Sequence, residues 1–117
     1  MSKKISEISL KVGLDVNNVP EKISWTASDS DEGSKDIKAF LLSVWDEKEM
    51  NTLRMDLWTK EMSVEEMNKF FFQTYITMAD TFQRATNEEG MGEAMRDFAE
   101  FFSEKLGVIK PTGKFDN

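Results

Sequence analysis

Carboxylates are the side chains that this sequence gathers most densely at suggestive spacings. Asp46, Glu47 and Glu49 crowd one polar turn, and Glu88, Glu89 and Glu93 crowd the start of a helical segment. Acid–base catalysis by paired carboxyls needs one of them desolvated and the other held at a set distance. Polar turns and helix starts are where charged residues meet water, so both groups read as solvated. Asp29-x-Asp31 resembles the opening of a calcium loop, but the pattern fails downstream. The position that needs Gly holds Ser34, and the position that needs the closing Glu holds Phe40. The chain has neither His nor Cys. It therefore lacks the commonest general base near neutral pH, the commonest transition-metal ligand, and every thiolate chemistry. The expectation is a protein that is not an enzyme, with no catalytic residues, no metal and no cofactor.

The elements that would position any site follow from periodicity. Ile8, Leu10, Val12, Leu14 and Val16 alternate with Ser9, Lys11, Gly13 and Asp15, which predicts a strand with one apolar face. Asn17-Asn18-Val19-Pro20 breaks it, since Asn tolerates left-handed backbone and Pro removes a donor. Ile23, Trp25 and Ala27 then mark a second strand, joined to the first as an antiparallel hairpin. Residues 28–36 are polar and form a loop. Ile37 to Trp45 is almost continuously apolar and reads as a strand covered on both faces, which hints at a homo-oligomer. A fourth strand alternates Leu53, Met55 and Leu57 with Arg54, Asp56 and Trp58.

Helical spacing begins at Ser63. Ser63-Val64-Glu65-Glu66 is a capping box, in which hydroxyl and carboxylate each satisfy a free backbone amide. Met67, Phe71, Met78 and Phe82 form an apolar stripe, and a second stripe runs through Met95, Phe98, Phe102 and Leu106 to a stop at Gly107. Arg84 and Arg96 are expected to pair along their own helices with Asp80 and Glu100. A buried Arg tying one helix to the other is the alternative. The predicted fold is α+β. It has a four-stranded antiparallel sheet over about 5–16, 22–28, 37–46 and 52–60, then two helices, about 63–85 and 89–106, on one face. Residues 1–107 are expected to form a single domain, and 108–117 a flexible tail.

The chain has 117 residues, three Trp, nine Phe and eight Met, enough bulky apolar material for one moderate core. Net charge is −7, with most of the acidic excess beyond residue 60. Phosphate backbones require clustered Lys and Arg, so nucleic acid is not an expected partner. No stretch has the length of a membrane span, and Met1-Ser2-Lys3-Lys4 leads into alternating residues rather than an apolar run. A cytoplasmic location without membrane insertion is expected.

Two Trp flank the turn at 46–51. Trp45 and Trp58 are candidates for a cross-strand pair, and packing of both in the core is the alternative to an interface role; parity separates Trp58 from Leu53, Met55 and Leu57 and places it beside Arg54. Trp and Arg on an outer sheet face are the composition of a protein–protein contact. Arg54, Trp58 and Trp45 are accordingly the candidate interface. The alternative is a small-ligand or lipid site in an apolar space between sheet and helices, lined by Phe70, Phe71, Met78, Phe98 and Phe102.

Six stretches carry a resemblance: NVPEKISW, SVWD, TLRMDLWTKEM, EEM, MADTFQRAT and MRDFAEFFSEKL. In this order and spacing the chain resembles the GldC family of gliding motility-associated proteins, from about Ile8 to Leu106. The resemblance implies an accessory factor of the gliding machinery and of the secretion apparatus linked to it. Its implied partners are other gliding-motility or secretion proteins, and it carries over no catalytic residue.

Overall fold

The computed structural model describes residues 4–29 and 33–115, and the chain divides into two compact units, Met1–Met62 and Ser63–Asn117. Asp31 of the calcium-like pattern lies outside the described residues.

The first unit holds five strands: β1 (Ile8–Leu14), β2 (Pro20–Ala27), β3 (Lys35–Ile37), β4 (Ala39–Asp46) and β5 (Asn51–Trp58). All pairings are antiparallel. The β1–β2 hairpin forms as its alternation predicts, with Val12 opposite Ile23 and Leu10 opposite Trp25. Its turn is built by Asp15, whose Oδ1 accepts from the amides of Asn17 and Val19 at 2.8 Å and 3.1 Å respectively. Asn18 takes the left-handed backbone that the Asn pair invites, at φ 62°. Pro20 stands at the first position of β2, where its missing N–H matters least.

The predicted single sheet of four strands is corrected to two sheets, one of three strands in the order β1-β2-β3 and one of two, β4-β5. The run beginning at Ile37 is two strands rather than one. Ile37 pairs with Ile23 across β2, the chain bends at Lys38, and Ala39 begins a ladder with Trp58. The Thr59 amide donates to the Lys38 carbonyl at 2.8 Å and closes the new ladder at its open end. Nearly continuous apolar sequence concealed the bend, because Lys38 and Ser43 are the only polar residues from Ile37 to Trp45. The core of this unit is small: Ile23 is fully buried in the middle of β2, and Phe40 is nearly so.

The second unit is a pair of antiparallel helices, α1 (Val64–Thr86) and α2 (Glu89–Lys105), within a residue or so of their predicted bounds. The capping box at Ser63 is complete. Ser63 Oγ accepts from the Glu66 amide and Glu66 Oε1 accepts from the Ser63 amide, both at 3.0 Å. Asn87, at φ 61°, ends α1 with its amide on the Gln83 carbonyl. Helix α2 ends in a Schellman arrangement around Gly107 (φ 73°): the Val108 amide donates to the Ser103 carbonyl and the Gly107 amide to that of Glu104.

Small residues set the closeness of the two helices. Ala79, Ala99 and Ser103 have no exposed surface, and Gly92 is buried. Tyr75 reaches across and stands edge-on to Phe98 and Phe102, with ring centroids 5.4 Å and 5.3 Å away. After α2 the chain doubles back. Lys114 bridges Asp97 and Glu100 at 2.9 Å and 3.4 Å, and Phe115 packs edge-on against Phe101. Among the described residues, no helix is long and apolar enough to cross a membrane.

Candidate functional site

Of the two carboxylate clusters, Asp46 is bonded to backbone amides and the others face solvent. Asp46 Oδ1 accepts from the amides of Lys48 and Glu49 at 2.9 Å and 2.7 Å, and its carbonyl accepts from Met50. This carboxylate shapes the β4–β5 turn, and Glu47 and Glu49 beside it are exposed. Glu88, Glu89 and Glu93 are exposed as well. Asp29 accepts from the Ser6 hydroxyl and pairs with Lys4 at 3.3 Å. Among the described residues, no group of three or more acidic side chains is placed to hold a metal ion.

One carboxylate is strongly perturbed. Asp15 accepts from Lys60 Nζ at 2.9 Å and from two backbone amides, and its side chain is mostly shielded. The Lys60 hydrogen bond, aided by the amides, lowers its pKa from 3.8 to about 2. Lys60 is raised in turn by the same bond. The pair fastens the β1–β2 turn to the residues that follow β5, and so joins the two sheets of the first unit.

Two open clefts lie within the units. One, of about 440 Å³, is bordered by Glu21, Lys22, Asp36, Lys38 and Glu61 around Ile23 and the buried Thr59. The other, of about 480 Å³, lies at the α1–α2 turn around Arg84, Arg96, Asp80 and Gln83. In the second cleft Arg96 donates to Asp80 at 3.0 Å and to Gln83 Oε1, so it links α2 to α1. The expected pairing within each helix is thereby corrected. Asp80 belongs to Arg96, Glu100 to Lys114, and Arg84 reaches only the Thr81 hydroxyl, at 3.4 Å. The geometry favours the cross-helix bond because Arg96 and Asp80 face each other across the seam. Neither cleft includes Phe70, Phe71, Met78, Phe98 or Phe102. Phe71, Phe98 and Phe102 instead join Tyr75 in a chain of aromatic contacts, with Phe70 edge-on to Phe71.

The β4–β5 ribbon stands apart from these features because it leaves most of its side chains open. Its register pairs Ala39 with Trp58, Leu41 with Asp56, Ser43 with Arg54 and Trp45 with Thr52. Side chains alternate across a strand, so these eight residues share one face. Trp45, Arg54 and Trp58 therefore lie in one row, all exposed, the two indoles at 65% and 56%. The two Trp do not form a cross-strand pair. They occupy opposite ends of the ribbon, about 20 Å apart at ~3.3 Å per residue, with Arg54 between them.

The other face is the apolar one that the alternation of Leu53, Met55 and Leu57 predicts. It carries Phe40, Leu42, Val44, Leu53, Met55 and Leu57, with Asp46 opposite Asn51 at its turn end. Leu42, Val44, Leu53 and Met55 are each about half exposed. The run from Ile37 to Trp45 is expected to be a strand covered on both faces; among the described residues β4 has one neighbouring strand, β5.

The model of one protein family, described as gliding motility-associated protein GldC-like, matches residues 20–108. No curated protein and no solved structure matches the chain significantly.

Proposed function

The chain belongs to the gliding motility-associated GldC-like family, and on that ground we propose that it is a cytoplasmic, non-enzymatic accessory protein that binds other proteins of the gliding machinery and its linked secretion apparatus. The binding surface is the β4–β5 face that carries Trp45, Arg54 and Trp58. The observation that supports this reading is their placement in one exposed row on a regular ribbon. Trp and Arg are the side chains most enriched where interfaces concentrate their energy. Both Trp present a rigid apolar body with a donor N–H, and Arg54 offers planar, charge-assisted hydrogen bonds between them.

Truncating a hot-spot residue typically costs ~2 kcal/mol or more, roughly thirtyfold in affinity. The double variant Arg54→Ala, Trp58→Ala is therefore expected to lose the partner and reduce colony spreading. The comparison strain carries the unaltered chain, and protein level is followed by immunoblot. Normal spreading at a normal protein level would overturn the assignment of this face.

A further inference from the structure

We propose that the chain after α2, residues 108–115, is a strap that opens and closes over one side of that helix, with the ion pairs of Lys114 as its salt-sensitive latch. The strap belongs to the helical unit, and the inference does not depend on the role given to the β4–β5 face.

Four residues of α2 receive the strap: Asp97, Glu100, Phe101 and Glu104. Their spacing of i, i+3, i+4 and i+7 puts them on one side of a helix. Lys114 Nζ pairs with Asp97 and Glu100 at 2.9 Å and 3.4 Å. Phe115 stands edge-on to Phe101, with ring centroids 5.4 Å apart, and the Thr112 amide donates to Glu104 Oε1. Gly113 takes φ 86°, a left-handed backbone that favours glycine, and the turn there lets Thr112 and the Lys114–Phe115 pair meet the same helix. Three carboxylates on one side of a helix repel one another. The Lys114 ammonium, seated between two of them, opposes that repulsion.

The same contacts make the closure reversible. The side chains of Lys114 and Asp97 are 48% and 59% exposed, and ion pairs so open to water contribute little and are screened by salt. Ordering the backbone from Lys110 to Phe115 has an entropic cost comparable to what these few contacts gain. Closure also leaves Glu104 Oε2 buried and, among the described residues, without a hydrogen-bond partner. A polar atom in that position costs free energy. Lifting the Thr112 amide from the neighbouring oxygen admits water to this carboxylate. The opposing contributions are close in size, so open and closed states are both populated. In the closed state Phe101 is covered by Phe115, with the Lys105 ammonium 5.8 Å from its ring centroid. Opening presents Phe101 together with Asp97, Glu100 and Glu104 as an acidic and aromatic surface that closure withholds.

Trypsin reads the strap directly. It cleaves the Lys114–Phe115 bond only when Lys114 has left its carboxylates, whereas Lys110 precedes Pro111 and resists it. The purified full chain is treated with dilute trypsin, and loss of residues 115–117 is followed by mass spectrometry beside a free peptide of residues 108–117. In dilute protease, cleavage follows the open population. In about 20 mM NaCl the bond is expected to be cut at least about threefold more slowly in the chain than in the peptide. The two rates should converge in 1 M NaCl, where the screening length is ~3 Å. Asp97→Asn combined with Glu100→Gln leaves the target lysine unchanged and is expected to bring the rates together at low salt. Phe101→Ala is expected to speed cleavage as well, with circular dichroism confirming that the helices persist. The salt series on the unaltered chain decides the question if a variant fails to fold. Equal rates for chain and peptide at low salt would show that the strap does not close. Slow cleavage that salt leaves unchanged would show a tail fixed by something other than this latch. Either result would overturn the proposal.

Discussion

Asp15 and Met50 show how single residues are used in the first unit. Met50 ends the β4–β5 turn in a left-handed conformation, φ 50°, which costs a residue other than Gly roughly 1–2 kcal/mol. The Asp46 turn holds it there through the bond from the Met50 amide to the Asp46 carbonyl. Asp15 gives a pH dependence whose sign is determined by its lowered pKa. The folded carboxyl titrates near 2 and the unperturbed one near 3.8, so the unfolded chain binds this proton more readily. Stability from the Asp15–Lys60 pair is therefore complete above the unfolded value and is lost as pH falls from about 4 through about 2. The raised Lys60 contributes below its ordinary value and loses that contribution only as pH rises past its folded one. Asp15→Asn is expected to be less stable than the parent in urea denaturation at pH 7. The difference should narrow steadily from pH 4 towards pH 2. A difference that stayed constant with pH would mean that the carboxylate charge contributes nothing.

At the scale of elements, the helix seam and the ribbon differ in how fully their neighbours are specified. Gly90 and Gly92 are both in the first turn of α2, yet their surroundings differ. A Cβ on Gly90 would meet nothing within 4 Å. One on Gly92 would collide with Gln83 Oε1 and lie 3.1 Å from Gln83 Cβ and Cδ. Gln83 Oε1 is also the acceptor for Arg96. Ala improves an exposed helix position by up to ~1 kcal/mol over Gly. Gly90→Ala is expected to raise the thermal midpoint by a few degrees. Gly92→Ala is expected to lower it, because Gln83 must move and its bond from Arg96 is lost with it. Calorimetry of the two variants checks the contrast; a similar rise in both would show that α2 is free to step away from α1.

The helices were legible because their signals are local: the Ser63 box, the Asn87 and Gly107 stops and the apolar stripes each lie within a few residues. The β1–β2 hairpin was legible for the same reason. The division into two sheets was not, since pairing of Ile37 with Ile23 and of Ala39 with Trp58 depends on contacts remote in sequence, and a bend at one Lys leaves no periodic trace. Parity placed Trp58 and Arg54 together but could not give the distance between the two Trp, which depends on ladder register. The Arg96–Asp80 bond was missed in favour of neighbours four residues away because helical spacing cannot show what stands across the seam.

The charge of the whole molecule makes the last expectation a matter of sign. Both copies of an associated pair carry −7, so their long-range interaction is repulsive at any approach. Between 0.01 M and 1 M salt the screening length falls from ~30 Å to ~3 Å, which removes that repulsion, while burial of uncharged side chains does not depend on charge screening. Self-association through apolar side chains should therefore hold or strengthen as salt rises, as measured by sedimentation equilibrium at 50 mM and 500 mM NaCl. Contacts between opposite charges would respond in the reverse direction, because their attraction is screened. A dimer that dissociated in 500 mM NaCl would place the interface on charged residues. A dimer that tightened would exclude ion pairs as its main support.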